Sequence, residues 1–433
     1  MKNGAISVFS AVLLLFYCIA VAVAVLSPLN LCARGRCLDP GGDFVLRVNE
    51  IECLLKGVNP FDVWHGDIVL KPYVPNFGEP RKVVEGKDGY TEIINAYAPW
   101  EYIVMMPFAL MQRTVAWTLY FLLMMAGLGV LFVVGRSFCF SFSKCDRATS
   151  LIGGAVPVLL AGLPIYQNFH TGNLAVPVLV AAALLPVCLN RGHDVLAGMC
   201  WMFVMLKPQL GLIFVVPLFM CRKFLTCLVA AAMCFALACI SALLCHTSPF
   251  KLILQTPAAN TFAFMGCGTM PSFLCPYLPG GLGIIAGLVV GAALCAYMTR
   301  RLVVSGVRDW TVVLMPAAVM GAAWTYAQCY SFSMNWFFFL VLCSSIVKWP
   351  RSRFLWVVAA LSAVFMTRLY NLAHFLPKVL PGVVPEFLPS EAWHYHIDSV
   401  VSGVSIVLTL AFCIWISRRA AKEDMPRPFR NEV

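Results

Sequence analysis

Apolar runs long enough to cross a membrane recur along most of this chain, and that recurrence limits it to an all-α, polytopic membrane protein. A span needs roughly 20 apolar residues at 1.5 Å of rise each, and shorter runs suffice where neighbouring helices cover their ends. About 12 segments meet that criterion, at approximately 5–27, 114–135, 149–166, 174–189, 195–206, 208–221, 224–245, 281–299, 309–327, 333–348, 354–370 and 396–417. Composition agrees: 61% of residues are hydrophobic and 12% charged, against about a quarter charged in soluble domains. Residues 1–27 lack a convincing small-residue cleavage site and are long for a signal-peptide core, so they are read as a retained first helix. With no internal repeat or low-complexity tract, the simplest partition is one membrane domain over 1–433.

The formal net charge of +11 excludes little until its distribution is considered. Lys and Arg are scattered in twos and threes between apolar runs, which argues against nucleic acid. They follow the bias of cytoplasmic loops instead. Arg136, Lys144 and Arg147, then Arg191, then Arg222 and Lys223, then Arg300, Arg301 and Arg308, then Lys348, Arg351 and Arg353 fall on one side, with a basic tail over about 418–433. Both ends are expected inside. Lys207-Pro208 divides the apolar stretch 195–221, and two short arms meeting at Lys207 on the outer side preserve this alternation. Three outer segments result, at about 28–100, 246–280 and 371–395, with membrane lipids as the surroundings.

The 19 cysteines fall mostly inside spans, where Cys is a small apolar residue, and none has metal-site spacing. Cys32 and Cys37, and Cys267 and Cys275, share outer loops and are allowed to pair in an oxidising compartment. His394 and His396 lack a nearby carboxylate pair, so no metal or other cofactor is implied.

The first outer segment holds a helical pattern. From Asp43, the residues Phe44, Val45, Val48, Ile51, Leu54 and Leu55 recur at helical spacing, with Arg47, Asn49, Glu50, Glu52 and Lys56 on the other face. Such a helix suits the outer membrane interface. Gly57 is placed to end it and Asn59-Pro60 to prevent its continuation. Asp43 takes the N-cap in this reading, where an Asp contributes on the order of 1 kcal/mol. Glu50, Glu52, Asp62 and Asp67 read as solvated or turn residues, Glu50 being the reserve catalytic candidate. Trp64, Tyr73, Phe77, Tyr90, Tyr97, Trp100 and Tyr102 read mainly as an interfacial belt.

Several of these residues carry a family resemblance. Gly42-Asp43-Phe44, then Leu54-Leu55-Lys56-Gly57-Val58-Asn59-Pro60-Phe61-Asp62, then Tyr97-Ala98-Pro99-Trp100-Glu101-Tyr102 ending in Met106-Pro107, resemble the first-loop pattern of glycosyltransferase family 87. Tyr166 to Asn173 resembles the outer-turn motif of that family, Leu206-Lys207-Pro208 its following Lys-Pro, and Ser331-Phe332-Ser333 its later Ser-rich segment. Asn173 stands where a Gln is usual, and Asn335-Trp336 follows the Ser-rich turn in place of histidines.

The resemblance implies a polytopic glycosyltransferase C fold whose long first outer loop carries interfacial helices. It also implies transfer of a hexose, often mannose, from a polyprenyl-phosphate-sugar donor to a lipid or glycan acceptor, with inversion, at the outer face of a bacterial plasma membrane. Such a transfer needs a base within hydrogen-bond reach of the acceptor hydroxyl, and a carboxylate also stabilises positive charge developing on the sugar. The resemblance aligns Asp43 with the family's catalytic aspartate. The leaving lipid phosphate needs a cation. Lys207, costly to place at a broken span, takes that role by the resemblance and snorkels to the interface otherwise. His170, Asn173 and Arg368 complete the candidate substrate-binding set.

Two other classes fit the hydropathy. A transporter or flippase of a lipid-linked sugar would use the broken span at Lys207-Pro208, although it has no need of a large polar first loop. A non-enzymatic membrane scaffold leaves Asp43 and the outer-turn motifs without purpose.

Overall fold

The computed structural model describes residues 42–64, 98–264, 282–324, 329–366 and 391–422. The expected first span, both loop cysteine pairs, Asp67 and Arg368 lie outside them. The described residues form helices with no strands. Five stretches are long and apolar enough to cross a membrane by length and composition: Arg113–Ser143, Phe224–Leu244, Ile285–Val304, Ser331–Lys348 and Val401–Ala420.

The helices in chain order are α1 (Gly42–Leu55), α2 (Pro60–Trp64), α3 (Pro99–Ala109), α4 (Arg113–Ser143), α5 (Arg147–Leu160), α6 (Gly162–Thr171), α7 (Ala175–Asn190), α8 (Asp194–Val204), α9 (Pro208–Gly211), α10 (Val215–Met220), α11 (Phe224–Leu244), α12 (Pro249–Phe264), α13 (Leu282–Val304), α14 (Trp310–Trp324), α15 (Trp336–Lys348), α16 (Arg353–Phe365) and α17 (Glu391–Ala420). A 3-10 turn over Cys329–Asn335 precedes α15. The core centres on α14, in which every residue from Thr311 to Ala323 is buried. It packs against α7, α9, α13, α15 and α17.

Two breaks in the helical pattern shape the site. The run 149–166, expected as one span, divides into α5 and α6 at Ala161. Pro164 has no N–H for the Leu160 carbonyl, and its ring crowds that carbonyl, so the helix restarts there. The second break is at Lys207. In a continuous helix residues ten apart are separated by about 15 Å, yet the Trp201 indole donates to the Gly211 carbonyl at 2.9 Å. The chain therefore folds back at Met205–Lys207, giving the two short arms expected from the charge pattern.

Candidate active site

The first turn of α1 meets the end of α6. That helix stops at Gly172, whose φ of +71° is left-handed, a region open to glycine and strained for most other residues. A Cβ there would lie 2.6 Å from Phe44 Cβ and 2.8 Å from the Trp117 ring. Bare backbone is what lets the turn reach α1. Phe44 is anchored beneath it against Trp117 and Tyr120, with ring centroids 5.3 and 5.1 Å away.

Asn173 follows the glycine, and its hydrogen bonds fix its orientation. Its Oδ1 accepts from the Ala175 N–H at 3.1 Å, so Nδ2 faces outward and donates to Asp43 Oδ2 at 2.7 Å. Tyr120 holds the same residue by donating its hydroxyl to the Asn173 carbonyl at 3.0 Å. Asp43 and Asn173, 130 residues apart, are thus a direct pair. Asp43 lies within the helix that begins at Gly42, inside the first turn and not at the N-cap expected above. Its carboxylate serves a tertiary partner.

One turn further along α1, Arg47 is 3% exposed and Glu50 fully buried, and the two form an ion pair. This corrects the expectation of a charged face turned to solvent. Positions 43, 47, 50 and 54 share one strip of a helix, and α3 packs along α1. On α3, Glu101 is fully buried with its Oε1 3.9 Å from Arg47 Nε. Neither helix is among the candidate spans. Burial pushes the Glu50 carboxyl from 4.5 to about 8, against the pull of Arg47. Burial also holds Glu101 well above the usual carboxylate range, opposed by Arg47 and Lys207. Trp100 and Tyr102 flank Glu101 and are buried in the core, not placed in a belt.

Lys207 reaches this cluster through the fold-back. The Trp100 indole donates to the Met205 carbonyl at 2.7 Å, which seats the turn against the start of α3. Lys207 is completely buried there and acts electrostatically on Glu101. Asp62, read above as a turn residue, ties α2 to α12 through Lys251 at 3.2 Å and Gln255 at 3.0 Å. Asn59 adds to this tie by donating its Nδ2 to Gln255 Oε1 at 3.1 Å. The Ser-rich turn, with Ser331 and Ser333 buried, packs on α6.

An apolar groove of about 550 Å³ is lined among others by Met105, Tyr120, Leu174, Val180, Phe203 and Leu206. Leu174 and Leu206 are the chain neighbours of Asn173 and Lys207.

Of the residues singled out in the sequence, Asp43 and Asn173 touch, and Lys207 joins them through Glu101. His170 falls in the last turn of α6, its side chain outside the description, and Arg368 lies outside the described residues. Arg47 and Glu101 were missed as site residues, and Glu50 was undervalued. The 43, 47, 50 spacing was a usable signal for the first and last of these. Only the Pro-Trp-Glu-Tyr run pointed to Glu101.

Residues 95–260 match the family model of glycosyltransferase family 87. Over that stretch the chain is similar to glycosyltransferase family 87, and the match supports a membrane glycosyltransferase, an enzyme class that uses a sugar donor and an acceptor. The stretch matched to family 87 runs from before α3 into α12 and contains Glu101, Asn173 and Lys207, while Asp43 precedes it. No curated protein and no solved structure matches the chain.

Proposed function

We propose that the chain is an inverting hexosyltransferase of the glycosyltransferase C type. It moves a hexose, mannose being the family expectation, from a polyprenyl-phosphate sugar to a lipid or glycan acceptor. The reaction takes place at the outer face of a bacterial plasma membrane. The observation that carries the reading is the Asp43–Asn173 hydrogen bond of 2.7 Å. It fixes one carboxylate oxygen and leaves Oδ1 for the acceptor hydroxyl. In the proposed step Asp43 takes the hydroxyl proton as the acceptor oxygen attacks the anomeric carbon. The electron pair of the breaking carbon–oxygen bond goes to the lipid phosphate, where Lys207 stabilises it. The apolar groove favours a donor with a hydrocarbon tail, since its walls offer almost nothing else to bind.

The test is conversion of polyprenyl-phosphate mannose by the purified full chain in detergent, with mass detection of the new glycoside. Without a membrane there is no gradient, so a transporter forms no product. Asp43→Asn keeps the hydrogen bond to Asn173 through its side-chain carbonyl but cannot take a proton. It should fold like the wild type and lose transfer by about two to four orders of magnitude. Near-normal transfer by Asp43→Asn would end the assignment of Asp43 as the base.

A further inference from the structure

Helix α7 is buried on every side but one. Between Val176 and Leu189 its half-buried positions are Pro177, Val180, Leu184, Val187 and Cys188, a single apolar strip at helical spacing. Pro177, Val180, Leu184 and Cys188 of this strip line the apolar groove, between α4 with Leu123 and α8 with Leu196. Leu123 is 59% exposed and Leu196 50%. The groove thus opens on the flank of α4, a candidate span, where the hydrocarbon of a bilayer would lie.

The end of the groove at Leu174 is tied to the candidate site. Tyr120 lines it and donates its hydroxyl to the Asn173 carbonyl. Phe108, also in the wall, packs with Tyr120 on the Phe44 ring, with centroids 6.2 and 5.1 Å away, and Phe44 adjoins Asp43. From Leu174 to Cys188 the helix rises about 21 Å. A volume of about 550 Å³ over that length leaves a channel about 6 Å across. With carbon atoms touching at about 3.5–4 Å, one hydrocarbon chain fits in it and two side by side do not.

We propose that this groove is a ruler for the tail of a single-chain prenyl phosphate, holding the units nearest the phosphate and leaving the rest in the lipid. This rests on the transferase reading above, and it adds the part of the tail that is recognised. Four carbon–carbon bonds extend an isoprene unit by about 5 Å, so about four units fill the groove. A diacyl lipid has a second chain that the width excludes. Lipid tails are as apolar as the walls, so leaving water gives no advantage here. Selectivity rests on packing, for which Met105 and Met199 in the walls are adaptable partners of a methyl-branched chain. A tail held at Tyr120 restrains the phosphate end beside Asn173 and Asp43, which lowers the entropic cost of the reactive geometry.

The experiment measures binding of geranyl, farnesyl, geranylgeranyl and heptaprenyl phosphate, with two, three, four and seven units, to the purified full chain in detergent by thermal-shift titration. Wild-type affinity should rise about two- to fivefold per unit up to geranylgeranyl phosphate and stay level for heptaprenyl phosphate. Two substitutions plug the groove at different depths. Val180→Trp, about 9 Å from Leu174, should end the rise at geranyl phosphate, and Leu184→Trp, about 15 Å away, at farnesyl phosphate. Each variant's affinity for geranyl phosphate is its own reference, because a folding defect weakens all lengths alike. The wild-type series needs no variant. Dipalmitoyl phosphatidic acid should bind no more tightly than geranyl phosphate.

A wild-type affinity equal at every length, or still climbing from geranylgeranyl to heptaprenyl phosphate, overturns the ruler. So does a folded plug variant that keeps the wild-type climb. Phosphatidic acid binding as tightly as geranylgeranyl phosphate, and weakened alike by Leu184→Trp, makes the groove a seat for bulk lipid and overturns the prenyl assignment. Transfer assays separate the ruler from the broader reading. A plateau in binding with no glycoside formed from geranylgeranyl-phosphate mannose removes the transferase reading and keeps the groove. Glycoside formed with one kcat/KM for all lengths, in the wild type and both plug variants, removes the ruler alone.

Discussion

Asn173 is the residue through which two distant motifs become one site. Its Oδ1 is committed to the Ala175 N–H and its Nδ2 to Asp43, so its contribution is to aim a carboxylate. Replacement by Leu should leave Asp43 free to rotate, and an ångström of misplacement is enough to lower a rate by about two orders of magnitude. The expected pattern is a lower kcat for transfer with donor KM little changed. A KM effect alone would place Asn173 against the donor instead. Glu50 makes a second prediction. Its carboxyl ionises near 8 in the fold and near 4.5 when exposed, so between those values the folded chain holds more protons than the unfolded one. Stability therefore falls as pH rises from about 5 through 8, and Glu101 acts in the same direction. The unfolding midpoint in detergent should drop across that range, and Glu50→Gln should flatten part of the slope. The sequence singled out Asp43, Asn173 and Glu50, but neither the Asp43–Asn173 contact nor the burial of Glu50 was legible in it. Spacing set Arg47 and Glu50 on one strip of a helix, but whether that strip faces solvent depends on α3, which lies about 45 residues further along the chain.

Elements were easier to read than their contacts. The Gly57 stop is realised as expected: Gly57 has φ +76°, and the Val58 N–H returns to the Cys53 carbonyl at 3.0 Å, closing the helix end. The fold-back at Lys207 was also legible, because a lysine followed by proline breaks both the apolar run and the backbone bonding. The split of 149–166 was not, although Pro164 supplied the signal, because hydropathy averages over a proline. What hydropathy cannot convey at all is that α6 exists to deliver the Gly172-Asn173 turn to α1. Gly172→Ala tests that contact. The added methyl meets Phe44 and Trp117 well inside contact distance, and overpacking of this kind is unfavourable by about 1–3 kcal/mol. Thermal stability and transfer should fall together. Gly129→Ala on α4, where a Cβ meets nothing within 4 Å, should be neutral and serves as the control. Equal stability for the two variants would mean that the turn does not bear on α1.

At the scale of the whole molecule, the charges are segregated along the helices. Helix α7 runs from Asn173, in the site, to the exposed Arg191, a length of about 24 Å for its 16 residues. The loops that meet Arg191 are basic too. Asn190 accepts from the Trp310 N–H at 3.0 Å, which brings in the segment holding Arg308. Lys223 pairs with Asp194 at 3.0 Å and lies over the Trp310 ring. In the same way Lys348 lies over the rings of Phe142 and Trp349, and Arg419 over Trp415, joining the ends of α4, α15 and α17. The carboxylates of the candidate site are at the opposite end of α7. Basic loops are retained on the cytoplasmic side, so the site should face outward, the side on which the proposed lipid-linked donor and acceptor would meet. In a background stripped of reactive native thiols, Lys56→Cys, exposed in the turn just past the end of α1, should react with an impermeant thiol reagent added outside intact cells. Arg191→Cys should react only once the membrane is opened. Labelling of Arg191→Cys from outside, with Lys56→Cys protected, would invert the molecule and put the reaction on the cytoplasmic face, where nucleotide sugars would replace polyprenyl-phosphate sugars as the available donors.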